Sequence, residues 1–130
     1  MSGPSTDWQI TAHPQERIIE VVYPNAPTTD SLERYESEIR AAILEMNGTW
    51  DCLVDQRSMP VLDAEMSQRI ADLITWSLDR GMRHAARIVR RGSMAALQAK
   101  TLLRASGEGE EQNLFLTREE AWASLRSRAG

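Results

Sequence analysis

The side chains of this sequence that could do chemistry are a group of carboxylates around residue 55, two histidines, and a basic stretch ending in Arg90-Arg91-Gly92-Ser93. Asp51, Asp55 and Asp63 surround a short apolar run and the loop after it. Paired acids can hold a divalent cation or share the work of general acid and base. Extended backbone, however, separates Asp51 from Asp55 by about 13 Å, too far to share one metal. Asp55 and Asp63 can approach each other only across the loop, and turn and cap roles account for them. His13 stands before Pro14 and His84 follows a helix stop, so both read as loop residues. No HExxH-type ligand spacing, no G-x-S-x-G elbow and no glycine-rich phosphate loop is present. Arg90, Arg91 and Ser93 come nearest to a binding motif. At a helix N-terminus they would set two guanidinium groups and a hydroxyl beside free amides, which is an anion site in chemical terms. A plain serine cap with solvated arginines is the competing reading. Cys52, the single cysteine, excludes an internal disulfide and a cysteine-based zinc site, and its apolar neighbours mark it as a small core residue. No nucleophile–base pair and no metal or cofactor set emerges, so the chain reads as non-enzymatic.

These residues need a scaffold, and the composition bounds it. The chain has 130 residues, 42% apolar and 26% charged, which suits one globular domain. A core over about 8–125 is expected, with flexible tails at 1–7 and 127–130. No run is long and apolar enough to span a membrane, and Met1–Trp8 does not read as a secretory signal. A cytoplasmic protein is the expectation. The net charge of −4 hides an asymmetry. Residues 80–104 hold six arginines, one lysine and no acid, while 1–79 hold fourteen acids against five arginines. A basic block can serve nucleic acid. This one has no Phe, Tyr or Trp to stack on bases, and packing against the acidic remainder is the favoured reading.

Patterning supplies the elements. Trp8 to Ala12 alternates like a half-buried strand, His13 to Glu16 reads as a turn, and Ile18 to Tyr23 reads as a covered strand closing a hairpin. Asp30-Ser31-Leu32-Glu33 reads as a capping box opening a helix that ends at Asn47-Gly48. Cys52-Leu53-Val54 is a short buried strand. A second helix runs from about Asp63, its cap, to Arg80, with Gly81 ending it. Ala85 to Val89 is a strand, and Met94 to Leu103 a helix capped by Ser93. Residues 106–111 form an acidic loop, Leu114 to Leu116 a short edge strand, and Thr117-Arg118-Glu119-Glu120 a second capping box opening the last helix. Trp50, Trp76 and Trp122 are expected to pack, and Trp8 to cover a sheet edge. Strands alternating with helices predict an α/β fold: a small, mixed, mostly parallel sheet of four or five strands with four helices packed on it.

The stretch from Cys52 to Met66, a buried strand ending in Asp55 followed by a loop and then Asp63 at a helix start, resembles the strand–loop–helix signature of STAS domains. Phe115 to Leu125 looks like the closing strand and helix of the SpoIIAA-like, STAS/SEC14-type proteins. The resemblance runs from about Trp8 to Leu125. It implies a regulatory, protein-binding module similar to the anti-sigma-factor antagonists, whose partner kinase phosphorylates a serine at this helix start. Here Asp63 matches the family aspartate, but Ala64 occupies the serine position, Glu65 follows where another serine is common, and Met66 replaces a glycine. The phosphorylation switch therefore does not carry over.

The leading expectation is a partner-binding surface at Arg57, Ser58, Asp63, Ala64 and Glu65. The related SEC14-type branch implies an alternative, an apolar or lipid ligand held under helix faces bearing Met66, Ile70, Ile74, Met94 and Leu97. Anion or nucleic-acid binding through residues 80–104 ranks third. STAS-like proteins also pair through sheet edges or exposed helices, which leaves a homodimer open.

Overall fold

The computed structural model describes residues 5–90, 92 and 114–129. Within them the chain runs β1 (Gln9–His13), β2 (Ile18–Val22), α1 (Thr29–Met46), β3 (Trp50–Asp55), α2 (Ala64–Asp79), β4 (Met82–Ile88), β5 (Leu114–Phe115) and α3 (Arg118–Ala129). One five-stranded sheet results, in the order β1-β2-β3-β4-β5. β1 and β2 form an antiparallel hairpin, and every later pairing is parallel. The α/β class and the mixed, mostly parallel sheet match the expectation. The described residues hold three helices. The helix expected at Met94 to Leu103, its Ser93 cap and the acidic loop lie outside them.

The strand order advances in one direction. Right-handed crossovers therefore deliver α1 and α2 to the same face of the sheet. That face carries the larger core, where Ile19, Val21, Cys52 and Val54 meet Leu32, Ile39, Ile70 and Leu73. The opposite face is closed by α3, whose Ala121 and Leu125 pack on Ile18, Leu53, Ala86 and Ile88. β3 is covered on both sides, and all its residues but Asp55 are fully buried. Among the described residues, no helix is long and apolar enough to cross a membrane.

Several local expectations shift. His13 is the last residue of β1, opposite Ile18, and does not belong to the turn. The turn is Pro14 to Arg17, closed by the Arg17 amide donating to the Pro14 carbonyl at 3.3 Å, with Arg17 at φ +61°. α1 is capped by Thr28, not Asp30. Thr28 Oγ1 accepts from the Ser31 amide and Ser31 Oγ accepts from the Thr28 amide, so Ser31 closes the reciprocal box. Asp30 then lies in the first turn, where its charge suits the helix dipole. β4 begins at Met82, which places His84 within a strand. α3 continues through Ala129. Thr117 does cap α3, accepting from the Glu120 amide. The Glu120 carboxylate accepts from the Thr117 hydroxyl and does not reach back to its backbone.

The amino edge of the sheet is a tight junction. Asn47 and Gly48 adopt left-handed φ after α1, and Gly81 at φ +99° joins α2 to β4. A Cβ on Gly81 would lie 2.2 Å from the Gly48 carbonyl oxygen. Gly81→Ala is therefore expected to destabilise the protein by about 2 kcal/mol or more, through both clash and backbone strain. Gly92, at φ +69° with no atom of the described residues within 4 Å of an added Cβ, isolates the strain. Gly92→Ala should lose only about 1 kcal/mol. Urea midpoints of the two variants measure the difference.

Candidate functional site

The carboxyl ends of the parallel strands are where an open α/β sheet offers its loops. Here β3 ends in Asp55 and hands over to the loop Gln56 to Asp63. That loop is not slack. Met59 and Leu62 are buried, and the Met59 amide donates to the Gln56 carbonyl. Arg57 donates from its amide and Nε to Asp55 Oδ1, both at 3.0 Å, and from Nη2 to Oδ2 at 2.8 Å. The paired carboxylate raises the Arg57 pKa and so favours its charged form. With its anchors inside, the loop turns Arg57, Ser58, Pro60 and Val61 outward, and Val61 is 56% exposed.

The expected surface residues divide among different tasks. Arg57 is bound to Asp55 and also feels Glu119 at the start of α3. Ser58 lines a shallow groove of about 140 Å³ with Gln9, Tyr23 and Asn25. Asp63 caps α2, its Oδ1 accepting from the Met66 amide at 2.8 Å. Ala64 and Glu65 are exposed in the first turn of α2. Of the anion candidates, Arg90 is exposed just beyond β4, whereas Arg91 and Ser93 lie outside the described residues. Among the described residues, the basic segment does not present one continuous face. Arg80 lies over the Trp76 ring, Arg83 reaches the fully buried Asp51 at 3.3 Å, and Arg87 is buried.

Arg87 is the residue that sequence reasoning missed. It lies on β4 opposite Val54 and points with Ala85 toward α1 and α2. Its surroundings form a polar corner in an otherwise apolar layer. Tyr23 and Tyr35 stand beside it, their ring centroids 6.2 Å apart, and Trp8 stacks on Tyr35 at 5.2 Å. Burial pushes the Tyr23 hydroxyl up to about 12, more than the nearby Arg87 charge and the Tyr35 and Gln56 hydrogen-bonding groups lower it. Burial likewise holds Tyr35 well above its ordinary value. Like any tyrosine at neutral pH both are protonated, and one phenol of the pair donates to the other. The corner opens on a cavity of about 30 Å³. Cys52, Ala85 and Arg87 form part of its floor, with Ile39, Ile70 and Ile74 above. The available signal was parity: in a strand covered on both faces, every other residue faces a core, and Arg87 shares the face of Ala85.

The other face holds a different cluster. Glu20 on β2 accepts from Arg118 Nε at 2.7 Å and Nη2 at 3.0 Å, and its Oε1 lies 2.9 Å from His13 Nε2. Trp122 meets the His13 ring edge-on at 5.0 Å and lies beneath the Arg118 guanidinium. This arrangement clasps α3 to the hairpin. Asp51 is also buried on this side of the sheet, and its Oδ1 has no hydrogen-bond partner among the described residues. No cluster of three or more His, Cys, Asp or Glu suited to a metal occurs among the described residues. Comparison with protein-family models and with curated protein sequences finds no match.

The clasp has a pH signature. The Arg118 hydrogen bonds lower the Glu20 pKa from 4.5, against the opposing effect of burial. A carboxyl lowered by folding stabilises the fold above its unfolded value and loses that contribution as pH falls through its folded value. The stability advantage of the wild type over Glu20→Gln, measured in urea, should be present at about pH 5 and shrink steadily as pH falls below about 4.

Proposed function

We propose that the protein is a non-catalytic regulatory module that docks a protein partner through the loop Gln56 to Asp63 and the first turn of α2. The observation that carries this reading is the construction of the loop. Buried Met59 and Leu62 and the Asp55–Arg57 pair fix its shape, while Val61 is left largely open to solvent. A surface already ordered before binding loses less conformational entropy on docking. An exposed aliphatic side chain flanked by Arg57, Asp63 and Glu65 supplies an apolar centre with a charged rim. The STAS-like order of strand, loop and capped helix supports the same surface. With Ala64 at the first position of α2, docking in this reading is not gated by phosphorylation there.

The ligand reading has its own observation, the cavity beneath α1 and α2. Its size limits the reading. A volume of about 30 Å³ admits one or two waters, while drug-sized ligands occupy roughly 300 Å³ or more. An acyl chain does not fit the cavity that the described residues bound, while Met94 and Leu97 of the same reading lie outside them.

Asp63 is a poor position for testing the docking surface, because its carboxylate caps α2 and its loss would cost the helix about 1 kcal/mol. Val61→Asp changes the surface and leaves the anchors in place. Leu44→Asp, on the exposed side of α1, is the control. In pull-downs from the native cell extract, a stoichiometric protein should be retained by the wild type and by Leu44→Asp, and lost with Val61→Asp. Equal retention by Val61→Asp overturns the reading.

A further inference from the structure

We propose that the interior cavity is a binding site for a small planar monocarboxylate of about acetate size, gripped by Arg87 and the phenol pair of Tyr23 and Tyr35. This proposal is independent of the docking loop. It starts from what an apolar layer needs. The floor row above the sheet is apolar except where Arg87 enters, and that side chain is only 3% exposed. The space exists because the floor residues Cys52 and Ala85 are small and α2 sets Ser77 among its larger lining residues.

The chemistry of the walls selects the occupant. A guanidinium presents a flat fork of N–H donors that matches a carboxylate's two oxygens. Arg87 has interactions of its own within the protein. Five donors allow it to serve a ligand as well. Tyr23 and Tyr35 line the same cavity as neutral phenols, and because their hydroxyls bond each other, one O–H of the pair is left to donate to a ligand. Apart from Ser77, the facing wall from α1 and α2 is hydrocarbon, with Ile39, Ile70 and Ile74 suited to a methyl group and not to a second charge. The volume sets the upper size, since about 30 Å³ replaces one or two waters and no more.

Two grooves adjoin the cavity. Tyr23 borders the cavity on one side and the groove containing Ser58 on the other. Tyr35 borders the cavity and a second groove of about 280 Å³ beside Trp8 and Arg34. Each ring thus borders both the cavity and a groove on the outer surface.

The probe is sodium acetate, titrated into the full-length chain to about 50 mM against sodium chloride at matched ionic strength, and read by amide chemical shifts. A ligand of about four heavy atoms binds no tighter than tens of micromolar, so a dissociation constant near 1 mM is expected. Saturable shifts confined to Cys52, Ala85, Arg87 and the facing turns of α1 and α2 support the site. Arg87→Lys keeps the charge but loses the fork, and should weaken binding about tenfold. Tyr35→Phe removes one donor with little change of volume, and should weaken it several-fold. Ala85→Leu fills the space and should abolish the saturable shifts while the spectrum stays dispersed. Shifts that grow linearly with acetate, that chloride reproduces, or that persist in Ala85→Leu overturn the proposal. The wild-type titration decides the matter even if a variant fails to fold.

Discussion

The architecture depends on a single constraint, the one-way order of its parallel strands. Each crossover from β2 to β3 and from β3 to β4 is right-handed, so neither helix can reach the far face. Two helices therefore share one side, and the other side would expose Ile18, Leu53, Ala86 and Ile88 unless a later segment returned to cover them. α3 does so from the far end of the chain. This explains why the two faces are held differently. The α1 and α2 side has a broad apolar layer, with Arg69 of α2 donating to Glu36 of α1 across the helix pair. The α3 side has a small apolar patch, and a half-buried ion-pair cluster supplies the rest of the attachment.

The same constraint decides where polar groups can collect. Parallel strands end together, so the residues after β2, β3 and β4 form one edge, extended by hydrogen bonds from Tyr23 to Asp55 and from Gln56 to Ile88. The loop Gln56 to Asp63 grows from this edge. The polar corner lies just inside it, because Val54 and Arg87 occupy the last inward-facing row. Tyr23 belongs to both regions, bordering the Ser58 groove outside and the cavity within. Loop and interior are thus neighbours for a topological reason.

Local chemistry was the most legible part of the sequence. Asp63 as the cap of α2, Asn47-Gly48 as the end of α1 and Gly81 as the break before β4 all depend on backbone preferences carried by one or two residues. The hairpin and the covered character of β3 were readable from alternation and its absence. What depended on pairing was harder to see. His13 looked like a turn residue because Pro14 follows it, yet the residue before proline favours extended backbone, which a strand end satisfies equally well. Thr28 won over Asp30 because Ser31 completed its reciprocal bonds. β4 starts early because Trp50 and Met82 pair before the irregularity in the ladder, a long-range fact. Of the candidate site, the loop between β3 and α2 was legible, but not that Arg57, Ser58 and Asp63 would face different neighbours.

Arg87 marks the point where packing alone stops explaining this core. A buried charge is weak evidence for stability, since apolar residues of similar volume often serve a core as well or better. Leucine or methionine at this position would agree with Ile39, Ile70 and Val54 around it. The two tyrosines raise the same question, because their hydroxyls bring desolvation that phenylalanine would avoid. A sequence consistent at every other level of its architecture departs from consistency in one corner, and such departures concentrate where a protein does its work. That corner lies at the carboxyl edge, adjoins the loop and contains the room left by Cys52 and Ala85, so the functional readings of this fold converge on one end of one sheet.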